Sequence, residues 1–293
     1  MQRSSWLIIF TMSETNTLPK HYPRVLSIAG SDSGGGAGIQ ADLKTFSALG
    51  CYGMTAITAI TAQNTLGVTA IHGVPSGILK AQIQAVIEDI GVDAVKIGML
   101  HSPEIVEVVA WAIDHYKLGK VVLDPVMVAT SGDTLVGQDT VAVLVRELFP
   151  RVAVITPNLD EAALLLTRSI REMGELENAA NDLLGMGAKA ALLKGGHLAG
   201  EDVVDVLVQP GCAMLRLQSR RITSRNVHGT GCTLSSAIAA HMALGHGLNE
   251  AVTLARSFIL KAIEAGAAVQ TGQGHGPLNH GFAPVPMQVL TRH

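Results

Sequence analysis

The chain is poor in cysteine. Among its 293 residues only Cys51, Cys212 and Cys232 occur, and no two of them form a CxxC pair. So odd and scattered a set excludes a disulfide framework and a cysteine-held zinc site, and it fits a reducing cytoplasm. Charge is also scarce, at 15% Asp, Glu, Lys and Arg, against the ~25% usual in soluble domains. The 21 basic and 24 acidic side chains leave a net charge of -3, with no block of Lys or Arg. The chain therefore carries no electrostatic footprint for nucleic acid. Any polyphosphate ligand must draw much of its positive field from backbone amides and a metal ion. The apolar stretch Trp6-Leu7-Ile8-Ile9-Phe10 after Arg3 is far too short to span a bilayer, and no small-residue cleavage site follows it. No membrane partner is expected. A Walker A loop is missing, because Lys44-Thr45 lacks the preceding glycine. Linkers, internal repeats and low-complexity tracts are absent as well. The expectation is a disordered leader over residues 1–23, with Met12 as an alternative translation start, followed by a single domain over 24–293.

What is present is a series of short, continuous apolar runs: Val25 to Ala29, Ala94 to Met99, Val121 to Leu123, Val152 to Ile155 and Ala190 to Leu193. Runs of this kind mark strands buried on both faces, and the helix-period segments between them predict an α/β fold with a doubly wound, mainly parallel sheet. Ser102-Pro103-Glu104 opens one helix with a capping residue and a proline at the first helical position, and Gly50 and Gly91 can close others. The stretch Met54 to Gln63, the turn Asn64-Thr65-Leu66-Gly67 and the stretch Val68 to Val74 read as two strands around a turn.

In such folds ligands bind beyond the carboxyl ends of the strands, so the residues after each run carry the functional information. The first run leads into Gly30-Ser31-Asp32-Ser33-Gly34-Gly35-Gly36-Ala37-Gly38. That loop either makes a tight strand-to-helix turn or lets a ligand approach the backbone. After Val121 to Leu123 comes Asp124-Pro125, a carboxylate at a strand end. After Val152 to Ile155 comes Thr156-Pro157-Asn158-Leu159-Asp160-Glu161, in which Asn158 and Glu161 have capping-box spacing and can also face a metal. Lys194-Gly195-Gly196-His197 follows Ala190 to Leu193 and offers a cation beside glycines.

The fifth segment is His228-Gly229-Thr230-Gly231-Cys232-Thr233, running into a helix through Leu234, Ile238 and Met242. Small residues there leave the first N–H groups free, and with the macrodipole they favour an anion. A thiol at that mouth should ionise more readily than a free one. Hard oxygen ligands such as Asp124 and Glu161 suit Mg²⁺, which bridges nucleotide phosphates. Phosphoryl transfer depends mainly on positioning and charge neutralisation, so these pieces point to an ATP-dependent small-molecule kinase.

Ala29-Gly30-Ser31-Asp32, Gly38-Ile39-Gln40-Ala41-Asp42, Thr61-Ala62-Gln63-Asn64-Thr65, Lys96-Ile97-Gly98-Met99-Leu100, Leu123-Asp124-Pro125-Val126-Met127, Thr156-Pro157-Asn158, Lys194-Gly195-Gly196-His197 and His228 to Thr233 resemble, in order, the hydroxymethylpyrimidine/phosphomethylpyrimidine kinases of thiamine biosynthesis. Those enzymes belong to the ribokinase superfamily. The resemblance runs from about Arg24 to the Gly274 to His280 tail. It implies a ribokinase-like fold, a mainly parallel sheet flanked by helices on both faces, and a homodimer. It also implies two reactions with ATP and Mg²⁺: phosphorylation of 4-amino-5-hydroxymethyl-2-methylpyrimidine, then of its monophosphate.

Carried over by resemblance, Gln63 recognises the pyrimidine, and Gly30, Asp42, Met99 and Val126 wall the same pocket. Cys232 stands where the wider superfamily usually has an aspartate base, with the Gly229, Thr230 and Gly231 N–H groups on the transferring phosphoryl group. Asp124 and Glu161 are the implied metal ligands, with Asn158 and Lys194 near the nucleotide phosphates. Three alternatives remain open: a pyridoxal kinase of the same superfamily, a hydrolase pairing Cys232 with His228, and a catalytically silent nucleotide-binding protein.

Overall fold

A computed structural model describes residues 20–127 and 135–291. In chain order the elements are β1 (Lys20–His21), β2 (Arg24–Ala29), α1 (Gly38–Ala48), β3 (Tyr52–Ile57), β4 (Ala59–Asn64), β5 (Gly67–Gly73), α2 (Ser76–Asp89), β6 (Ala94–Ile97), α3 (Pro103–His115), β7 (Val121–Leu123), α4 (Gln138–Leu148) and β8 (Val154–Ile155). They continue with α5 (Leu159–Leu166), α6 (Leu176–Gly185), β9 (Ala191–Lys194), β10 (Asp202–Val208), β11 (Leu215–Arg220), α7 (Thr230–Ala243), α8 (Leu248–Gly266) and β12 (Leu290–Thr291).

An 8-stranded sheet in the order β11-β10-β9-β8-β7-β6-β2-β3 runs through the molecule. From β9 to β3 all neighbours are parallel, as the buried apolar runs predict. Alternation along each strand divides the core between the two faces. Val25, Ala94, Val122 and Val154 pack against α1, α7 and α8, while Leu26, Ile28, Val95, Val121 and Leu123 pack against the helices from α2 to α6. Pro103 takes the first helical position of α3 after Ser102, and Gly50 and Gly91, at φ +75 and +81, follow α1 and α2 as left-handed terminators.

The structure corrects three expectations. First, Lys20 and His21 pair with Thr291 and Leu290, so the folded chain already includes residues assigned to the leader. The rest of that leader, including Met12, lies outside the described residues. Second, Met54 to Gln63 is not one strand. Thr58 is buried, its N–H donates to the Ala29 carbonyl, its hydroxyl donates to the Met99 carbonyl at 2.7 Å, and its own carbonyl accepts from Val74. This knot turns the chain out of the large sheet, so that β3 stays beside β2 while β4 pairs with β5 over the strand ends. Third, the antiparallel hairpin β10–β11 extends the sheet beyond β9. Asp205 interrupts the apolar run of β10, and β11 alternates half-buried and exposed residues, so neither looks like a strand buried on both faces.

Candidate active site

The carboxyl ends of β2, β6, β7 and β9, the hairpin strand β4 and the start of α7 enclose a cavity of about 690 Å³. Gly30, Gln63, Met99, Val126, Asp124, Asn158, Glu161, Lys194, Gly229, Thr230, Gly231 and Cys232 all line it. Residues far apart in sequence therefore converge. At one end Met99, Val126 and Leu135 form an apolar shelf with Ala59 and Val136. A Cβ on Gly30 would lie 2.7 Å from the Met99 methyl, so a larger residue there would push the tip of that methionine aside. Gln63 hangs from β4 above the shelf. Ser33 of the glycine loop brackets its backbone at 2.8 Å on both N–H and carbonyl, and Thr61 Oγ1, whose one hydrogen is shared with the Ser31 carbonyl at 2.8 Å, lies 3.1 Å from Gln63 Oε1.

At the centre, Gly229 has φ +83, and a Cβ there would lie 1.9 Å from the Gly36 carbonyl oxygen. No other residue fits, and the tight approach aims the first turn of α7 into the cavity. Cys232 sits in that turn, and the N–H of Gly38, which begins α1, acts on it from the other side to lower its pKa. Two helix N-termini thus meet at one thiol, which is a strong anion site. The prediction of ready ionisation nonetheless fails for the free protein. Burial pushes the thiol up to about 11, Lys96 pulls it down, and Asp42 and Asp124 add to the rise. Desolvation of the thiolate outweighs the helix ends. His228 directs Nε2 at Asp32 Oδ2, 2.8 Å away, so a hydrolase dyad with Cys232 loses that nitrogen.

Asp42 does not line the pocket. It is fully buried one helical turn inside α1, where Lys96 Nζ donates to both carboxylate oxygens at 2.9 Å and Ser27 and Ser236 donate at 2.5 and 2.6 Å. Lys96, which the sequence reading passed over inside an apolar run, takes the place on the cavity floor. Burial opposes its charge, but Asp42, Cys232 and Asp124 outweigh burial and raise its pKa. A lysine inside an otherwise apolar strand was the available signal, since such a charge requires a carboxylate. Replacing Lys96 with Met leaves Asp42 uncompensated and is expected to cost about 3–5 kcal/mol in urea denaturation, as for other broken buried pairs. A cost under about 1 kcal/mol would show that the serines alone satisfy Asp42.

At the far end, Asp124 Oδ1 accepts from Lys194 Nζ at 2.9 Å and from Thr156 Oγ1 at 3.1 Å. A Cβ on Gly231 would lie 3.2 Å from the Lys194 ammonium and 3.3 Å from Asp124, so the glycine turn and this pair share one spot. Asn158 and Glu161 form the expected capping box, with reciprocal bonds of 2.8 and 2.9 Å. Glu161 is 4% exposed; burial lifts its carboxyl to about 7, with Lys194 opposing and Asp124 adding. A cation would relieve two carboxylates so placed, and their oxygen donors suit Mg²⁺. Among the described residues no group of three or more His, Cys, Asp or Glu could hold a metal alone, so the ion must share its shell with ligand phosphates and water. Asp205 is a further residue the sequence reading missed. It accepts from the Gly195 N–H at 3.0 Å and pairs with Arg256 at 2.5 Å, which fixes the turn that follows Lys194 at the end of β9.

The profile described as phosphomethylpyrimidine kinase matches residues 32–279. A hydroxymethylpyrimidine/phosphomethylpyrimidine kinase of Rhizobium meliloti is 53% identical over 256 residues, covering 87% of this chain and 96% of that one. The crystal structure of a phosphomethylpyrimidine kinase from Clostridium difficile 630 is 45% identical, with a TM-score of 0.72 over 82% of this chain and 99% of its own. An ADP complex of Bacillus subtilis pyridoxal kinase is 37% identical, with a TM-score of 0.82 over 89% and 98%. The sheet and its flanking helices are thus ribokinase-like, and the match spans the glycine loop, the hairpin and the thiol-bearing helix. The chain belongs to the phosphomethylpyrimidine kinase family.

Proposed function

We propose that this chain uses ATP to phosphorylate 4-amino-5-hydroxymethyl-2-methylpyrimidine and then its monophosphate, two steps of thiamine biosynthesis. The observation that carries the reading is the meeting of two helix N-termini at Cys232, between an amide-bearing apolar shelf and an acidic, lysine-bearing end. The pyrimidine lies on Met99 and Val126 beneath Gln63, with Gly30 allowing close approach. ATP phosphates lie along Lys194 and Asn158, where Asp124 and Glu161 would hold Mg²⁺ directly or through water, an ion that would supply charge neutralisation for the phosphates. In the first reaction the hydroxymethyl oxygen attacks the γ-phosphorus, its proton passes to the Cys232 thiolate, and ADP leaves. The N–H groups of Gly229 and Gly231 stabilise the transferring group, while that of Thr230, expected to join them, donates to the Val227 carbonyl at 3.2 Å. In the second reaction an ionised phosphate oxygen attacks and needs no base. A cytoplasmic homodimer fits the resemblance; no described helix is long and apolar enough to cross a membrane.

With the free thiol near 11, the base form grows roughly tenfold with each pH unit below that value. The kcat/KM of the first reaction, which reports free-enzyme pKa values, is therefore expected to climb steeply between about pH 8 and 10, while the second stays nearly flat. Parallel profiles for the two steps would remove Cys232 from the base role. The similarity to pyridoxal kinases supports a second reading, in which pyridoxal occupies the same shelf. ADP release measured with each acceptor at matched concentration separates the two, and turnover with pyridoxal alone would favour the second.

A further inference from the structure

We propose that Asp32 and His228 form a positioning pair that locks the acceptor loop to the phosphate-binding turn during phosphoryl transfer; the inference rests on the kinase reading above. Asp32 is 1% exposed and sits in the glycine loop between β2 and α1. Its Oδ1 accepts from the Gly34 N–H at 2.8 Å, and its Oδ2 accepts from Gly36 at 3.0 Å and Ala37 at 2.8 Å. One carboxylate thus shapes the loop that brackets Gln63 through Ser33 and presents Gly38 to Cys232. The same Oδ2 meets His228 Nε2 at 2.8 Å, a link across 196 residues of sequence. His228 immediately precedes Gly229, the residue that aims the turn of α7.

The two loops interlock on both sides of this bond. A Cβ on Gly36 would lie 2.5 Å from His228 Cδ2, and a Cβ on Gly229 would lie 1.9 Å from the Gly36 carbonyl. The backbone of His228 is held from behind by the Gly276 carbonyl at 3.1 Å and by a bridge to Pro277. Loss of the side-chain bond would therefore free the glycine loop against a fixed turn. The acceptor oxygen and the oxyanion N–H groups would then move relative to each other. Transfer is sensitive to such displacement: misplacement by about 1 Å can cost on the order of 10²-fold.

Because the pair touches neither reacting atom, its loss should act equally on both phosphorylations. That distinguishes it from Cys232. Kinetic constants of the full chain with Mg-ATP and each pyrimidine acceptor test this for His228→Ala, His228→Asn and His228→Gln. His228→Ala is expected to lower kcat of both steps by on the order of 10²-fold, with KM for either substrate changed less than about threefold. His228→Gln, whose amide N–H reaches as far as Nε2, should recover most of the loss, whereas the shorter His228→Asn should not. Full kcat in His228→Ala, a loss confined to KM, or equal loss in Gln and Ala variants with unaltered melting would overturn the proposal. Unfolding of all three variants would overturn it too, by making the pair a folding determinant. Wild-type protein that fails to phosphorylate the pyrimidine defeats the kinase reading itself, an outcome visible before any variant is compared.

Discussion

Replacing Cys232 with Ala is expected to slow phosphorylation of the hydroxymethyl group by about 10²–10⁴-fold, the usual contribution of a positioned base, and to slow phosphorylation of the monophosphate far less. The asymmetry follows from the two nucleophiles. An alcohol must lose its proton as it attacks, and Cys232 is placed to take it, between the first turns of α1 and α7. A phosphate is already ionised, so the second step uses only the N–H groups and the cations, which the substitution leaves in place. Cys232→Ser should behave in the same way, because a hydroxyl in that buried spot is a weaker base than a thiolate. Separate assays of the two steps check this, and equal losses would mean that Cys232 merely packs the turn.

Gln63→Ala is expected to shift the preference between aminopyrimidine and pyridoxal by up to about 10⁴-fold, the discrimination lost when a buried polar recognition pair cannot form. The side chain is set for this. Thr61 Oγ1, held by the Ser31 carbonyl at 2.8 Å, lies 3.1 Å from Oε1, and the Ser33 contacts fix the strand that carries the amide. In the proposed complex the amide N–H groups and a lone pair of Oε1 would face a ring nitrogen and its neighbouring exocyclic amine, which offer an acceptor and a donor in matching order. Pyridoxal lacks that amine and should lose little from the change. The ratio of kcat/KM values for the two acceptors measures the effect, and a parallel fall for both would place Gln63 in the architecture of the hairpin.

Much of this arrangement was legible in the sequence because it rests on local chemistry. Strands buried on both faces cannot alternate, so Val25 to Ala29 and Val121 to Leu123 announce themselves, and Asn158 with Glu161 announces a helix start. What the sequence concealed depends on depth and partners. Asp42 and Lys96 are 54 positions apart, and nothing in either neighbourhood says that they neutralise each other rather than a ligand. Cys232 lies in the first turn of α7, where the glycine motif puts it, but its pKa moves up rather than down, because free N–H groups do not offset the desolvation of the thiolate. The hairpin β10–β11 escaped because its inward carboxylate, Asp205, breaks the pattern that marks its neighbours. Thr58 hid the departure of β4 for a similar reason, since its bonds to Ala29, Met99 and Val74 come from three distant segments.

In the proposed reaction one cavity performs two successive transfers to the same pyrimidine. A phosphorus NMR time course with Mg-ATP and 4-amino-5-hydroxymethyl-2-methylpyrimidine, run beside a pyridoxal reaction, tests it most directly. Appearance of the pyrimidine monophosphate followed by its diphosphate is the predicted result. Phosphate transfer to pyridoxal alone would contradict it.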